Sequence, residues 1–257
     1  MIPSGLVPAI PTGTPLDAIV DGSCYLDEIL DSGGNPTEPH RCLRFTNDIA
    51  NVGAGPLELQ FRLDPLAPGL CVVEQVIHRT DGSSRVKPIV DGCELHANHA
   101  HFHFHGFAKY ELFAFDPSQP GYRSCQPVAV GRKVGFCVTD VDPESVSTRY
   151  DAATVQPIQP RTYRFPNCNL PSRLDANGLE NVMGVSQGWG DVYTWDLPDQ
   201  FIEITGLAPG KYDVVSTANP TDSLDLAPSN RQGHQWVCVT ADGVAAIPSN
   251  DATSPCP

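Results

Sequence analysis

The sequence predicts an all-β fold, a β-sandwich-like core with long ordered loops and little helix. Three observations carry this. Short runs rich in β-branched and aromatic residues recur along the chain: CLRFTNDIANV from Cys42, then PLELQFRL, CVVEQVIHR, HFHFHGFAKYELFAF, PVAVGRKVGFCVTD, QFIEITGL, KYDVVSTA and HQWVCVT. Gly, Pro, Asn or Asp bound them, the residues that end strands. The 25 Pro and 22 Gly of the 257 residues are scattered between the runs as punctuation, which leaves little room for long helices.

Taken in order, residues 1–22 carry little periodic pattern and are expected to be an extended or poorly ordered lead-in. Residues 23–257 are expected to form a single domain, long enough to bury a sizeable core. Within it, Ile202, Ile204 and Leu207, then Pro209-Gly210, then Tyr212 and Val214 read as a hairpin between two half-buried strands. The stretch from about 142 to 187 shows no sustained period of 2 or 3.6 and is expected to be a long ordered loop or an insertion, tethered at Cys168.

Composition excludes several classes. Sixteen Lys and Arg stand against 30 Asp and Glu, and no cation precedes Arg41, so the cationic surface that a phosphate backbone requires is missing and no nucleic-acid partner is expected. No run approaches the roughly 20 apolar residues of a membrane-spanning helix. Nine Cys from Cys24 to Cys256, without paired C-x-x-C spacings, point to an oxidising compartment and so to a secreted, extracellular protein, although no signal peptide stands at Met1. Pairing by order joins Cys24 with Cys42, Cys71 with Cys93, Cys137 with Cys168 and Cys238 with Cys256, leaving Cys125 free.

The densest chemical signal is histidine. Five of the eight fall within ten residues, His96, His99, His101, His103 and His105. In a strand, alternate residues share a face about 6.5–7 Å apart, so His99, His101 and His103 can converge on one ion while Phe102 and Phe104 turn inward. His105 has the parity of a fourth ligand and His96 the opposite one. Three imidazoles suit Cu(II), Zn(II), Ni(II) or Fe(II), and spacing alone does not choose among them. A histidine-lined polar face without a metal is the plain alternative.

His96-Ala-Asn-His99-Ala-His101-Phe-His103, followed by Phe107-Ala-Lys-Tyr110-Glu-Leu, resembles the copper-binding strand of the lysyl oxidase family. Gly131-Arg-Lys133-Val-Gly-Phe136-Cys137 resembles that family's G-x-K-x-x-F-C segment. Gly184-Val-Ser-Gln-Gly188-Trp-Gly-Asp191-Val-Tyr193 and Gln200-Phe-Ile202-Glu-Ile204-Thr resemble two further motifs in the same order. Leu43-Arg44-Phe45 and Asn51-Val-Gly53 look similar to bacterial- and archaeal-type members. The resemblance runs from about Cys42 to Cys238.

What the resemblance implies is specific. Copper(II) would be held by His99, His101 and His103, and the cofactor would be a lysyl tyrosylquinone made from two of the chain's own side chains, matched here by Lys133 and Tyr193. Lys133 is one of only four lysines. The reaction implied is oxidative deamination of primary amines, peptidyl lysine among them, to aldehydes with O2, releasing NH3 and H2O2. Asp191, two residues before Tyr193, is the candidate base; a turn carboxylate capping a backbone N–H is an equal reading. Taken singly, Lys133 reads as a surface lysine and Tyr193 as a packing residue. Two other functions are weighed against this one: a non-catalytic extracellular copper-binding β-sandwich module, and a three-histidine zinc hydrolase.

Overall fold

The computed structural model describes residues 6–9, 19–23, 40–51, 53, 55–64, 71–90, 92–96, 101–143, 163–168, 170–171, 180–226 and 231–256. Its strands in chain order are β1 (Leu6–Ala9), β2 (Ile19–Ser23), β3 (Arg41–Phe45), β4 (Asn47–Asn51), β5 (Leu57–Leu63), β6 (Cys71–His78), β7 (Ser84–Ile89), β8 (Cys93–His96) and β9 (His101–Phe104). There follow β10 (Ala108–Ala114), β11 (Ala129–Val130), β12 (Leu170–Pro171), β13 (Glu180–Val185), β14 (Gly190–Tyr193), β15 (Phe201–Glu203), β16 (Gly210–Ala218), β17 (Gln232–Val239) and β18 (Val244–Ala246). The fold is all-β. Among the described residues the one helical piece is a single 3-10 turn, Pro120–Tyr122.

Two five-stranded antiparallel sheets, β11-β10-β16-β17-β18 and β12-β13-β5-β6-β7, enclose one core. Strand β5 alternates buried and half-buried positions along LELQFRL, sending Leu57, Leu59 and Phe61 inward, as a sheet with one wet face requires. They meet Met183 and Val185 of β13, Tyr110 and Leu112 of β10, Val214 of β16 and Val237 of β17 in a single hydrophobic cluster. Strand β17 is buried on both faces toward its end, because Trp236 and Cys238 pack under Ile247 and Ala252 of the C-terminal segment. That segment is fastened by the Cys238–Cys256 disulfide and by Lys211, whose ammonium donates to the carbonyls of Ala252 and Ser254.

Smaller sheets close the ends: β1-β4-β14, β15-β3-β2 and the β8-β9 hairpin. Strands β1 and β2 of the lead-in are thus paired, with β4 and β3. The Cys71–Cys93, Cys137–Cys168 and Cys238–Cys256 disulfides are present and Cys125 is free and exposed. Cys42 is disulfide-bonded; Cys24, its expected partner, lies outside the described residues.

Three expectations are corrected. Residues 202–214 are not a hairpin: β15 pairs with β3, Ile202 opposite Leu43, whereas β16 pairs with β10 and β17. Ile202 and Ile204 are both fully buried, and the Pro209-Gly210 turn carries the chain from one sheet to another. The run PVAVGRKVGFCVTD forms only the two-residue β11 and isolated bridges, Gly131 to Ile202 and Phe104 to Phe136. At Gly131 the backbone passes close to β10: a Cβ there would stand 2.7 Å from the Tyr110 Cβ. Finally, the stretch 142–187 contains β12 and β13, and β13 pairs along six residues with β5.

Candidate functional site

Strand β9 is positioned by β8, with Glu94 opposite His103 and His96 opposite His101. The alternation works as the pattern predicts: Phe102 and Phe104 are buried and pack on Phe61, while His101 and His103 are half-buried on the other face. Their Nε2 atoms stand 3.1 Å apart. Two nitrogens each about 2.0–2.1 Å from one shared ion lie about 3 Å apart, so this pair has the separation of two metal ligands. His99 lies outside the described residues. His105 continues past the strand, with its Nε2 buried and 3.7 Å from Glu94. The same Glu94 oxygen is 3.7 Å from Nδ1 of His103. A carboxylate behind the second nitrogen of a ligand imidazole fixes its tautomer and aim. Sequence reasoning does not single out Glu94, because its place opposite His103 depends on the β8–β9 register.

The segment Lys133–Cys137 runs against β9. Phe104 and Phe136 exchange both backbone hydrogen bonds, at 2.8 and 3.0 Å. Gly135 permits this approach, since a Cβ there would lie 3.0 Å from the His103 Nδ1. On the far side of the segment, the Tyr193 hydroxyl donates to the carbonyl of Cys137 at 2.7 Å, and the Tyr193 ring meets Phe136 edge to face at 5.0 Å. The Lys133 ammonium lies over both rings, 4.9 Å from the Tyr193 centroid and 5.5 Å from that of Phe136. The other three lysines are held by oxygen: Lys87 by the Ser223 carbonyl, Lys109 by Glu111, and Lys211 by the C-terminal segment.

Burial sets the electrostatics. Desolvation lowers the Lys133 pKa, with Asp199 and Asp191 opposing that shift. Desolvation, with Asp191 and Tyr110 adding to it, holds the Tyr193 phenol well above its ordinary value. Asp191 is 1% exposed, and burial raises its carboxyl well above the usual range, against a backbone hydrogen bond from Thr139. Its Oδ2 has no hydrogen-bond partner. Beside this group, the Tyr110 hydroxyl accepts from the Asn47 amide at 3.2 Å. Asn47 stands opposite Tyr193 in the ladder of β4 with β14.

Lys133, Tyr193 and Asp191 are therefore brought together, 60 residues of chain notwithstanding, and the Lys133–Cys137 segment links them to His101 and His103. The all-β fold thus places two half-buried imidazoles, a half-buried lysine and a buried tyrosine–aspartate pair around one short segment. No protein-family model matches the chain. It is similar to Lysyl oxidase homolog 4 of Mus musculus, 27% identical over 145 residues, 56% of this chain and 14% of that protein. It is also similar to Lysyl oxidase homolog 3B of Danio rerio, 28% identical over 127 residues, 49% of this chain and 12% of that protein. The match thus covers about half of the chain and less than a sixth of either relative. It points to a lysyl oxidase relationship and carries no information on a bacterial- or archaeal-type branch. Among the described residues, no helix is long and apolar enough to cross a membrane.

Proposed function

We propose that this protein is a secreted copper- and quinone-dependent amine oxidase of lysyl oxidase type, acting on primary amines, peptidyl lysine among them. The observation that carries the reading is the Lys133 ammonium 4.9 Å from the Tyr193 ring, in a desolvated environment that lowers its pKa and so eases formation of the neutral, nucleophilic amine. Copper(II) would be held by His99, His101 and His103, the last two already at the separation of ligands. Copper with O2 supplies the oxidation of a phenol to a quinone, and the finished lysyl tyrosylquinone supplies an electrophilic carbonyl for the amine.

The chain's own residues do the rest. Cys137 holds the Tyr193 hydroxyl through its carbonyl and Phe136 packs on the ring edge, so the ring face turned to Lys133 stays in register. Lys133 must lose its proton before its nitrogen can add to that ring, and desolvation makes the loss easier. Asp191 Oδ2, buried and unpartnered, is the atom that would hold the proton taken from the substrate's α-carbon. Once ionised, a carboxylate whose pKa is raised by burial is a stronger base than an exposed one.

Peptide mapping of copper-loaded, aerated protein with and without phenylhydrazine tests this. One crosslinked, hydrazine-labelled species containing Lys133 and Tyr193, with aldehyde and H2O2 formed from a primary amine, is the expected result. Separate, unmodified peptides with copper bound at the histidine strand would overturn it in favour of a non-catalytic copper-binding module.

A further inference from the structure

The Cys137–Cys168 disulfide closes directly against the histidine strand. A ring nitrogen of His101 and the sulfurs of Cys137 and Cys168 all lie within 4.8 Å of one another. The Nε2 of His103 is 3.1 Å from that of His101. Among the described residues this is the one place where three such ligand atoms gather. In a disulfide neither sulfur is a thiolate, and thiolate is the form that binds metal. Reduced, the same side chains offer two thiolates and two imidazoles, the donor set of a closed tetrahedral zinc site. Soft sulfur ligands select Zn(II) or Cu(I) over Cu(II).

We propose that Cys137 and Cys168, once reduced, form with His101 and His103 a second metal state that takes a thiolate-preferring ion, Zn(II) or Cu(I). One protein disulfide and two molecules of a low-molecular-weight thiol give two protein thiols and one reductant disulfide. On binding, the two thiols release their protons to solvent and the ion keeps its oxidation state. Cys137 is half-buried, the more accessible of the two cysteines. Cys168 is buried, and the backbone leading to it is held without the disulfide: Asp140 accepts from the backbone N–H groups of Arg164, Phe165 and Ser186 at 3.0, 3.1 and 2.6 Å, and from the Ser186 hydroxyl at 2.7 Å. These bonds fasten the chain at Phe165, three residues before Cys168, to Asp140 without the help of the disulfide.

This site goes beyond the amine-oxidase reading and needs neither Lys133 nor Tyr193. Both states use His101 and His103, so a chain holding an ion in the thiolate state has withdrawn two imidazoles from an all-nitrogen copper site. Thiol reductant would then decide which ion the histidine strand holds.

Cobalt(II) is the probe. The full chain carrying Cys125→Ser is reduced with a phosphine, exchanged into anaerobic buffer and titrated with Co(II), beside the unreduced protein and a reduced Cys125→Ser/Cys137→Ser/Cys168→Ser chain. The expected result is a near-ultraviolet sulfur-to-cobalt charge-transfer band with visible tetrahedral bands, saturating at one equivalent, displaced by Zn(II), and absent from both references. The same band in the chain lacking Cys137 and Cys168, or no band in a reduced chain that keeps its strand circular dichroism, overturns the proposal. Should reduction unfold the chain, an unreduced Cys168→Ser variant frees the Cys137 thiol alone. A single-thiolate band lost on adding His101→Ala supports the site, and no band rejects it.

Discussion

Lys133 and Tyr193 meet face to ring, the ammonium 4.9 Å from the ring centroid, because one short segment is pinned on both sides. The Phe104–Phe136 backbone pair fixes it to the histidine strand, and the Tyr193 hydroxyl fixes its other side through Cys137. The contact is thus a product of the sheet arrangement and not of chance approach between a flexible surface lysine and a ring. A cation over an aromatic face is stabilised by the ring quadrupole, and in a desolvated place it also loses hydration. For Lys133 the lowered pKa says that desolvation is the larger effect.

The first prediction follows from that sign. A lysine with a lowered folded pKa becomes neutral, and so nucleophilic, at lower pH than an ordinary one. Competitive acylation across a pH series, read by peptide mass, is expected to label Lys133 with a midpoint below the ordinary value of 10.5. Lys109, which is exposed and paired with Glu111, serves as the internal reference. A Lys133 midpoint at or above that of Lys109 would show the ammonium to be solvated.

Asp191 gives a prediction on stability. Its folded pKa lies above the unfolded value, so the native state keeps a proton that the unfolded chain releases above about pH 4. Stability contributed by this group is therefore present at low pH and is lost as pH rises toward the folded pKa. Asp191→Asn is neutral throughout and still accepts from Thr139. At pH 7.5, where the wild-type chain must either keep the proton or bury a charge, the amide does neither and is expected to raise Tm. At pH 3.5 the difference should vanish, while amine oxidation is lost at every pH. A Tm that falls at pH 7.5 would mean that the carboxylate is ionised and held by Lys133.

Glu94 is predicted to act on the metal through histidine. It faces His103 across the β8–β9 pair and stands 3.7 Å from ring nitrogens of His103 and His105. Removing an outer carboxylate from a ligand imidazole typically costs about 10–100-fold in metal affinity. Glu94→Gln is expected to weaken Cu(II) binding by about that factor in competition with a chromophoric chelator. Glu58→Gln, which removes the partner of His78 on β6, should leave it unchanged. Equal affinities for the two variants would remove Glu94 from the site.

How much was legible in the sequence differs by residue. Strands that alternate visibly, such as LELQFRL and HFHF, were readable because each has one wet and one buried face. Strand β7 was missed: SRVKPI holds a proline and is largely exposed, and it exists because six residues of β6 pair with it. Strand β13 was hidden in an apparent loop for a related reason, its Gly184 leaving a gap in the apolar pattern. A Cβ at Gly184 would lie 2.0 Å from the Leu57 carbonyl, so glycine is what lets β13 lie on β5. The histidine face was readable from parity alone. The Lys133–Tyr193 approach was not, since no local rule joins two residues 60 apart; only the ordered family resemblance singled them out. Glu94 was overlooked because a lone acid at a strand start carries no signal until its cross-strand partner is known.

Gly135 tests whether that architecture holds the histidines in place. A Cβ at this position would stand 3.0 Å from His103 Nδ1, 3.1 Å from its Cβ and 3.3 Å from its Cγ. The backbone cannot retreat without breaking the paired Phe104–Phe136 hydrogen bonds, and the His103 Cβ is fixed by its own strand. Gly135→Ala must therefore strain the contact, at a cost of about 1–3 kcal/mol for an overpacked site, or about 2–12 °C in Tm. Because the displaced group is one of the imidazoles proposed to hold copper, Cu(II) affinity should fall as well. Gly55→Ala is the control, for nothing lies within 4 Å of the added methyl. If the two variants melt together and bind copper alike, the Lys133–Cys137 segment does not press on the histidine strand and the link between the two halves of the site is lost.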